Sequence, residues 1–173
     1  MDFFELIHAR RSIRAYQPQP VEETKLTRIL EAANRAPSAG NLQAYVILIV
    51  RDAAVRLALS RAALNQESLT QAPVVLAFFA HQQVSAAKYK NRGELYSLQD
   101  ATIACAYAQL AATALGLATV WVGAFNDEDV ARILQAKADW RPVALLPVGY
   151  PAEAPAPTPR RPLGELAQEA SQR

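Results

Sequence analysis

The chain has 173 residues, of which 51% are hydrophobic and 20% are charged, and its formal net charge is +2. This length suits one sizeable core and is short for two domains. The small net charge argues against a nucleic-acid partner, which usually requires a basic excess over a whole domain. One cysteine excludes a disulfide framework, and no apolar run approaches the roughly 20 residues of a membrane helix. We therefore expect a cytoplasmic protein without a membrane segment.

Two helices are predicted at the start of the chain. Asp2 and Glu5 have the spacing of a capping box, so a short helix should begin there and end near the arginines of "RRSIR". A second helix is predicted from Pro20, with its apolar side chains on one face, and Pro37 should stop it. Residues 38–41 then form a small polar loop.

Four β-favouring segments predict strands, at residues 44–50, 73–80, 118–122 and 142–150. Asp52 and Asn126 are predicted caps of the helices that follow them. Pro147 suggests that the last strand lies at a sheet edge or carries a bulge. The helices between the strands are uneven in length. The order predicts an α+β fold with a mixed central sheet flanked by helices.

The longest predicted helix runs from Glu94 to Leu115, and Gly116 should end it. Its alanine-rich middle has small side chains on more than one face. We therefore expect the central, fully enclosed helix of the fold, with a subunit interface as a further option. The polar stretch before it, from Gln82 to Gly93, has no clear period and predicts a mobile loop that could serve as a lid.

The last part of the chain changes in composition. Five of the eleven prolines fall between Pro151 and Pro162, which indicates an extended, stiff segment. We predict one domain over residues 1–150 and an arm over residues 151–173. The arm carries Arg160 and Arg161, and we expect it to bring positive charge to a site on the domain.

The stretch "ARRSIRAY" concentrates positive charge in a chain that has little in excess. One interpretation is a solvated helix end, where cations are favoured by the helix dipole. The other is a site for a small anionic ligand, formed by Arg10, Arg11, Ser12 and Arg14. Guanidinium groups present a planar fork to phosphate oxygens, and charge-assisted hydrogen bonds are stronger than neutral ones.

Four stretches together resemble the nitroreductase family of FMN-dependent oxidoreductases. In chain order they are "RRSIRAY", "APSAGNLQAY", "NQESLTQAPVVLAFFA" and "ALGLATVWVGAF", followed by a basic "PRRPLGEL" end. They are spread over nearly the whole chain. The resemblance implies an intertwined homodimer with two FMN molecules at its interface, each contacted by both subunits.

The same resemblance implies which residues bind FMN. It places the phosphate among the side chains of the basic cluster and the arm, namely Arg10, Arg11, Ser12, Arg14, Arg160 and Arg161. A loop from the other subunit reaches the flavin with Pro37, Ser38, Ala39 and Asn41. A polar pair beside the ribityl chain is Asn65 and Gln66. A strand-end turn beside flavin N5 is formed by Val122, Gly123 and Ala124. A backbone donor at that turn suits a flavin that receives a hydride.

The implied activity takes hydride from NADH or NADPH and reduces small acceptors such as nitroaromatics and quinones by a ping-pong mechanism. No catalytic side chain and no metal site are predicted. Tyr89, Tyr96 and Gln99 are candidates for shaping the acceptor pocket. Two alternatives stay open: an FMN-binding protein without turnover, and a specialised member that carries out flavin destruction, dehalogenation or azoline oxidation. The sequence does not choose between the two nicotinamide donors or identify the physiological acceptor.

Overall fold

The structure, a computed structural model, describes residues 1–170. One sheet contains four strands, β1 (Tyr45–Val50), β2 (Val74–His81), β3 (Ala118–Thr119) and β4 (Trp140–Gly149). Their order is β1-β2-β4-β3, and all three pairings are antiparallel. A parallel contribution comes from one bridge, between Ser12 and Thr119. The predicted α+β class is confirmed, and the mixed character of the sheet is limited to this bridge.

Eight α-helices occur within residues 1–170. They are α1 (Phe3–Ala9), α2 (Glu23–Asn34), α3 (Ala53–Ala62), α4 (Ser68–Gln71), α5 (Gln82–Tyr89), α6 (Gly93–Ala114), α7 (Asp127–Ile133) and α8 (Leu163–Leu166). The capping box of α1 is present, with the Glu5 N–H donating to the Asp2 carboxylate at 2.8 Å. Asp52 and Asn126 cap α3 and α7 as predicted. None of these helices is long and apolar enough to cross a membrane.

The sheet separates two hydrophobic clusters. One lies between the sheet and the helices α2 and α6, and the other lies on the opposite face beneath α3 and α7. Helix α6 buries nine residues, yet Ala106 and Tyr107 are exposed on its other face. The prediction of a fully enclosed helix is therefore wrong for the single chain, because small side chains pack closely on one face only.

The stretch from Gln82 to Gly93 is not the predicted loop. It forms α5 and a short 3₁₀ turn, Lys90–Arg92, directly before α6. The sequence of this stretch shows no clear apolar period, because α5 packs against α6 through close approach of the two backbones and not through a row of apolar side chains. A Cβ atom on Gly93 would lie only 2.5 Å from the Cα of Ala86, so α5 and α6 approach each other where no side chain fits.

Pro147 lies in β4, a central strand between β2 and β3, so the expected place at a sheet edge is wrong. The alternative expectation, a bulge in this strand, is met at Val143, where the register of β4 with β2 shifts four residues before Pro147. The β3–β4 register puts it opposite Val120, where the ladder is interrupted. Proline has no N–H to donate across that gap. The hydroxyl of Tyr16 lies at this gap and donates to the carbonyls of Ile13 at 2.7 Å and Pro147 at 3.3 Å. Burial raises the pKa of Tyr16, and the Val120 N–H is hydrogen-bonded to its hydroxyl.

Candidate functional site

Both ends of the chain line one groove of about 730 Å³. Its lining includes five residues that the sequence singles out, Arg10, Arg11, Ser12, Arg14 and Arg160. The first four follow the end of α1, where the chain turns into the sheet through the bridge of Ser12 to Thr119. The arm returns over them in an extended conformation. We call this arrangement the basic groove.

Positive charge in the basic groove is not neutralised by protein carboxylates. Within residues 1–170, Arg10, Arg14 and Arg160 take part in no ion pair. Partial burial lowers the pKa of Arg10, and the neighbouring charges of Arg160 and Arg11 lower it further. Arginines drawn together against their repulsion form a set of donors that fits a phosphate dianion. Arg11 contributes less, because it donates to the carbonyls of His8 and Arg10.

The carboxylate of Glu153, which the sequence reasoning missed, holds the arm against the rest of the chain. One oxygen of Glu153 accepts from the backbone N–H groups of Arg14 and Ala15. The N–H of Ala152 donates to the carbonyl of Ala15 at 2.9 Å. The start of the arm is therefore bound to the "RRSIRAY" segment, and this contact directs the arm towards the groove. In the sequence, the only indication of this contact is the single glutamate near the start of the proline-rich segment.

The two arginines of the arm differ in their surroundings. Arg160 lines the basic groove, whereas Arg161 donates from Nε to the carboxylate of Glu165 at 3.1 Å. Arg161 does not line that groove. The sequence grouped the two as a pair, and the structure gives them different partners.

A second part of the predicted site adjoins the basic groove. Arg14 also lines a neighbouring cavity of about 380 Å³, which it shares with Gln66 and Ser68. The side-chain amide of Gln66 donates to the carbonyl of Ala124 at 3.3 Å, which joins the polar pair to the strand-end turn. Asn65 precedes it with a φ of 59°, a left-handed conformation that costs free energy in a non-glycine residue.

The strand-end turn has a buried start and an open end. Val122 is 1% exposed, and its N–H and carbonyl pair with Leu145 of β4. Gly123 and Ala124 follow and are exposed. A Cβ atom on Gly123 would lie 3.0 Å from Nε1 of Trp121. The turn therefore presents backbone to its surroundings, as the sequence predicted for a close approach to a planar ligand.

The loop with Pro37, Ser38, Ala39 and Asn41 lies elsewhere. Its first three residues line a cavity of about 650 Å³ against α6, and none of the four lines the basic groove. Gly40 and Asn41 both have a φ of 57°. The Ser38 hydroxyl accepts from the N–H of Gln43 at 3.0 Å. Within one chain the structure brings the arginines together with the turn, and it does not bring this loop to them.

A buried carboxylate holds this loop. Asp100 of α6 is 2% exposed, and it accepts from the N–H of Ala39 at 2.9 Å and from that of Ala44 at 3.2 Å. Burial, with the charge of Asp100, also raises the pKa of Tyr45. The sequence reasoning missed Asp100. The signal was available, because an acid within an alanine-rich helix, two turns after its start, needs hydrogen-bond donors if it is buried.

Residues 1–170 contain no group of three potential metal-ligating side chains that could hold an ion. Cys105 is fully buried in α6, and burial raises its thiol pKa, which makes it a core residue. The basic groove offers cations and hydroxyls, and the neighbouring 380 Å³ cavity adds the amides of Gln66 and Gln71 beside the carboxylates of Glu67 and Glu153. Such groups bind and orient a ligand that carries phosphate and a polar planar ring.

Comparison with known proteins identifies the family. The family model described as "Nitroreductase family" matches residues 7–67 and 55–150. A protein named NADH dehydrogenase from Thermus thermophilus is 36% identical, over 89% of this chain and 89% of its own length. The structure of NfrA2 from B. megaterium is 30% identical with a TM-score of 0.90, covering 98% of this chain and 74% of that one. The chain belongs to the nitroreductase family, which confirms the resemblance seen in the sequence.

Other relatives show the range of named activities. An FMN reductase (NAD(P)H) from Bacillus subtilis is 34% identical, over 88% of this chain and 67% of its own length. A 5,6-dimethylbenzimidazole synthase from Rhodobacter capsulatus is 28% identical, over 85% of this chain and 82% of its own length. Membership of the family therefore establishes the fold of this chain but does not identify its substrate.

Proposed function

We propose that this protein is an FMN-dependent oxidoreductase that takes hydride from NADH or NADPH and reduces small acceptors such as nitroaromatics and quinones. The observation that carries the proposal is the basic groove. Arg10, Arg14 and Arg160 converge there from opposite ends of the chain, and within residues 1–170 their guanidinium groups form no ion pair. Such a cluster is unfavourable until an anion enters it, and the phosphate of FMN supplies that charge.

The remaining residues of the site orient the flavin. Arg14 lines both the basic groove and the cavity of Gln66, so these residues would hold the phosphate and the adjoining ribityl chain of FMN. The turn at Gly123 and Ala124 offers backbone N–H groups to the ring. Bound FMN would supply the redox chemistry, with hydride entering at N5. The chain's own contribution is to hold the phosphate, position the ring and leave one face open to donor and acceptor in turn.

The site is completed by a second copy of the chain. The loop containing Ser38 and Asn41 lies outside the basic groove of its own chain, and in our proposal it reaches the flavin of the partner subunit. Helix α1 buries none of its residues and exposes Phe3 and Phe4 by 60% and 69%. Tyr107 on α6 is 40% exposed. These apolar faces supply a dimer interface that does not depend on bound FMN.

The deciding measurement is the visible absorption spectrum of the purified protein before and after anaerobic NADPH, and separately NADH. We expect a bound-flavin spectrum that bleaches with at least one donor and recovers when a quinone is added. A flavin spectrum that no donor bleaches would leave an FMN-binding protein without turnover or a specialised activity. A protein that binds no flavin even after incubation with FMN would refute the proposal entirely.

A further inference from the structure

A second group of cations lies near the 650 Å³ cavity that Pro37, Ser38 and Ala39 line. Lys88 lies in the last turn of α5, and Lys90 and Arg92 lie in the 3₁₀ turn between α5 and α6. Two tyrosines stand between them, Tyr89 and Tyr96, with ring centroids 4.9 Å apart in an edge-to-face arrangement. We call these five residues the cationic rim.

Contacts within the cationic rim hold its charges against aromatic rings. The Arg92 guanidinium lies 5.0 Å from the Tyr96 ring centroid, and its Nε donates to the Tyr96 hydroxyl at 2.8 Å. Lys88 Nζ lies 5.4 Å from the ring centroid of Tyr89. Cation–π contacts fix side-chain positions while leaving the positive charge unneutralised.

The rim adjoins the cavity that the 37–41 loop lines. Tyr96 is part of the wall of that cavity, together with Ser38 and Ala39. A Cβ atom on Gly40 would lie 2.6 Å from Lys88 Nζ and would overlap the Tyr89 hydroxyl. Helix α5 is therefore packed onto the loop that our proposal places beside the flavin of the partner subunit, and Tyr96 joins the rim to the cavity wall.

Nearby carboxylates do not neutralise the rim. Among residues 1–170, none of its three cations forms an ion pair. Glu94 pairs with Arg141 at 3.0 Å. Asp100, in the cavity wall, accepts two backbone N–H groups of the 37–44 loop. Three positive charges within five positions are thus available to an anionic ligand.

The backbone at the centre of the rim is strained. Lys90 has a φ of 49° and a ψ of −120°, a conformation that is costly for a residue with a Cβ. It places the lysine between the end of α5 and the start of α6. Strained conformations of this kind concentrate at ligand-binding segments.

We propose that the cationic rim binds the 2′-phosphate of NADPH and makes NADPH the preferred electron donor over NADH; this rests on the function proposed above. A small acceptor fits within a 650 Å³ cavity and needs no charged rim. A dinucleotide extends beyond the flavin ring, and only NADPH carries an extra phosphate at its adenosine end. Lysine and arginine bind that dianion, and a tyrosine face accepts the adenine ring.

Donor preference is tested with the FMN-loaded protein. Flavin reduction is followed anaerobically by stopped flow against the concentration of each donor, and binding of NADP⁺ and NAD⁺ is measured separately by calorimetry. We expect NADPH to be favoured by about tenfold or more at low salt, which is the effect of one charge-assisted hydrogen bond. The preference should shrink as ionic strength rises.

The double substitution Lys88→Gln with Lys90→Gln removes two charges and leaves Arg92 to support Tyr96. We expect the NADPH rate and NADP⁺ affinity to fall by about tenfold, with the NADH rate and NAD⁺ affinity unchanged. Lys137→Gln is the matched control. Lys137 also lies over an aromatic ring, 5.2 Å from the centroid of Trp140, but outside this cavity. Its substitution should leave the donor ratio unaltered.

The outcomes separate this inference from the function on which it rests. Reduction by both donors at equal rates, or faster by NADH, would overturn the inference and leave the proposed function standing. A double variant that loses affinity for an anionic quinone while keeping its NADPH preference would also overturn it, because the rim would then serve the acceptor. Absence of reduction by either donor would refute both.

Discussion

The basic groove gathers cations that no carboxylate neutralises, whereas the 37–44 loop is fastened by one buried carboxylate, Asp100. In the first region the protein leaves its electrostatics incomplete, so a ligand's charge is required. In the second region, the hydrogen bonds that hold the loop to Asp100 are made by protein groups alone. Under the proposed function, the phosphate end of the site depends on FMN for its charge balance, while protein groups hold the loop before FMN binds.

The largest effect on this difference between the two regions is expected from replacing Asp100. Asp100→Ala leaves the N–H groups of Ala39 and Ala44 without their acceptor, and it should lower the free energy of unfolding of the apo protein by about 3 kcal/mol. Asp100→Asn retains one carbonyl oxygen and should cost about half as much. Denaturant unfolding of the apo protein measures both. An apo protein as stable with alanine as with aspartate would show that the loop is not held this way.

The opposite behaviour is expected of Arg10. Arg10→Ala removes a donor to the phosphate and should raise the dissociation constant of FMN by about 30-fold, the effect of a hydrogen bond to a charged group. The apo protein should be as stable as before, because Arg10 is repelled by Arg160 and Arg11. Flavin fluorescence titration gives the constant. The exposed Arg28→Ala serves as control, and full flavin retention by Arg10→Ala after dialysis would refute the phosphate assignment.

The next prediction concerns Glu153, which holds the start of the arm against the basic groove. Glu153→Ala removes the acceptor of two backbone N–H groups and frees the arm, so FMN should bind about tenfold more weakly through loss of Arg160 from the groove. Protease cleavage of the arm should accelerate in parallel. Glu153→Gln, which keeps an acceptor oxygen, should recover part of both effects. Glu169→Ala changes an exposed acid further along the arm and should affect neither.

The smallest effect is expected at Arg161. Its partner is Glu165 in an exposed pair, and such pairs contribute about 0–1 kcal/mol. Arg161→Ala should therefore change FMN affinity by less than about fivefold. Arg160→Ala should weaken it clearly more. Equal losses in the two variants would mean that both arginines reach the phosphate, which would contradict the difference in their partners.

Sequence reasoning succeeded where a residue type has one local meaning. The capping box of Asp2, the caps at Asp52 and Asn126 and the buried strands β2 and β4 follow from nearest neighbours along the chain, whereas β1, also predicted as buried, is a partly exposed edge strand. The basic residues could be assigned to one group because the chain has a formal net charge of only +2, so a local cluster of arginines stands out. Their convergence with Arg160 could be expected only from the family resemblance, since no local pattern joins residues at opposite ends of the chain.

It failed where tertiary contacts decide. Pro147 is tolerated in a central strand because the hydroxyl of Tyr16, more than a hundred positions away, fills the gap in the ladder. The 82–93 stretch is helical because Gly93 lets α5 lie against α6. Asp100 and Glu153 were missed for the same reason. Their partners are backbone N–H groups, which leave no trace in a sequence.

The groove shared by residues 10–14 and Arg160 also has a consequence for the order of folding. During translation the arginines after α1 emerge first, and the arm that covers them emerges last. Contacts of such high sequence separation close late, after the sheet between them has formed. Under the proposed function, tight FMN capture is therefore expected only of chains synthesised through the arm, because a nascent or truncated chain lacks Arg160.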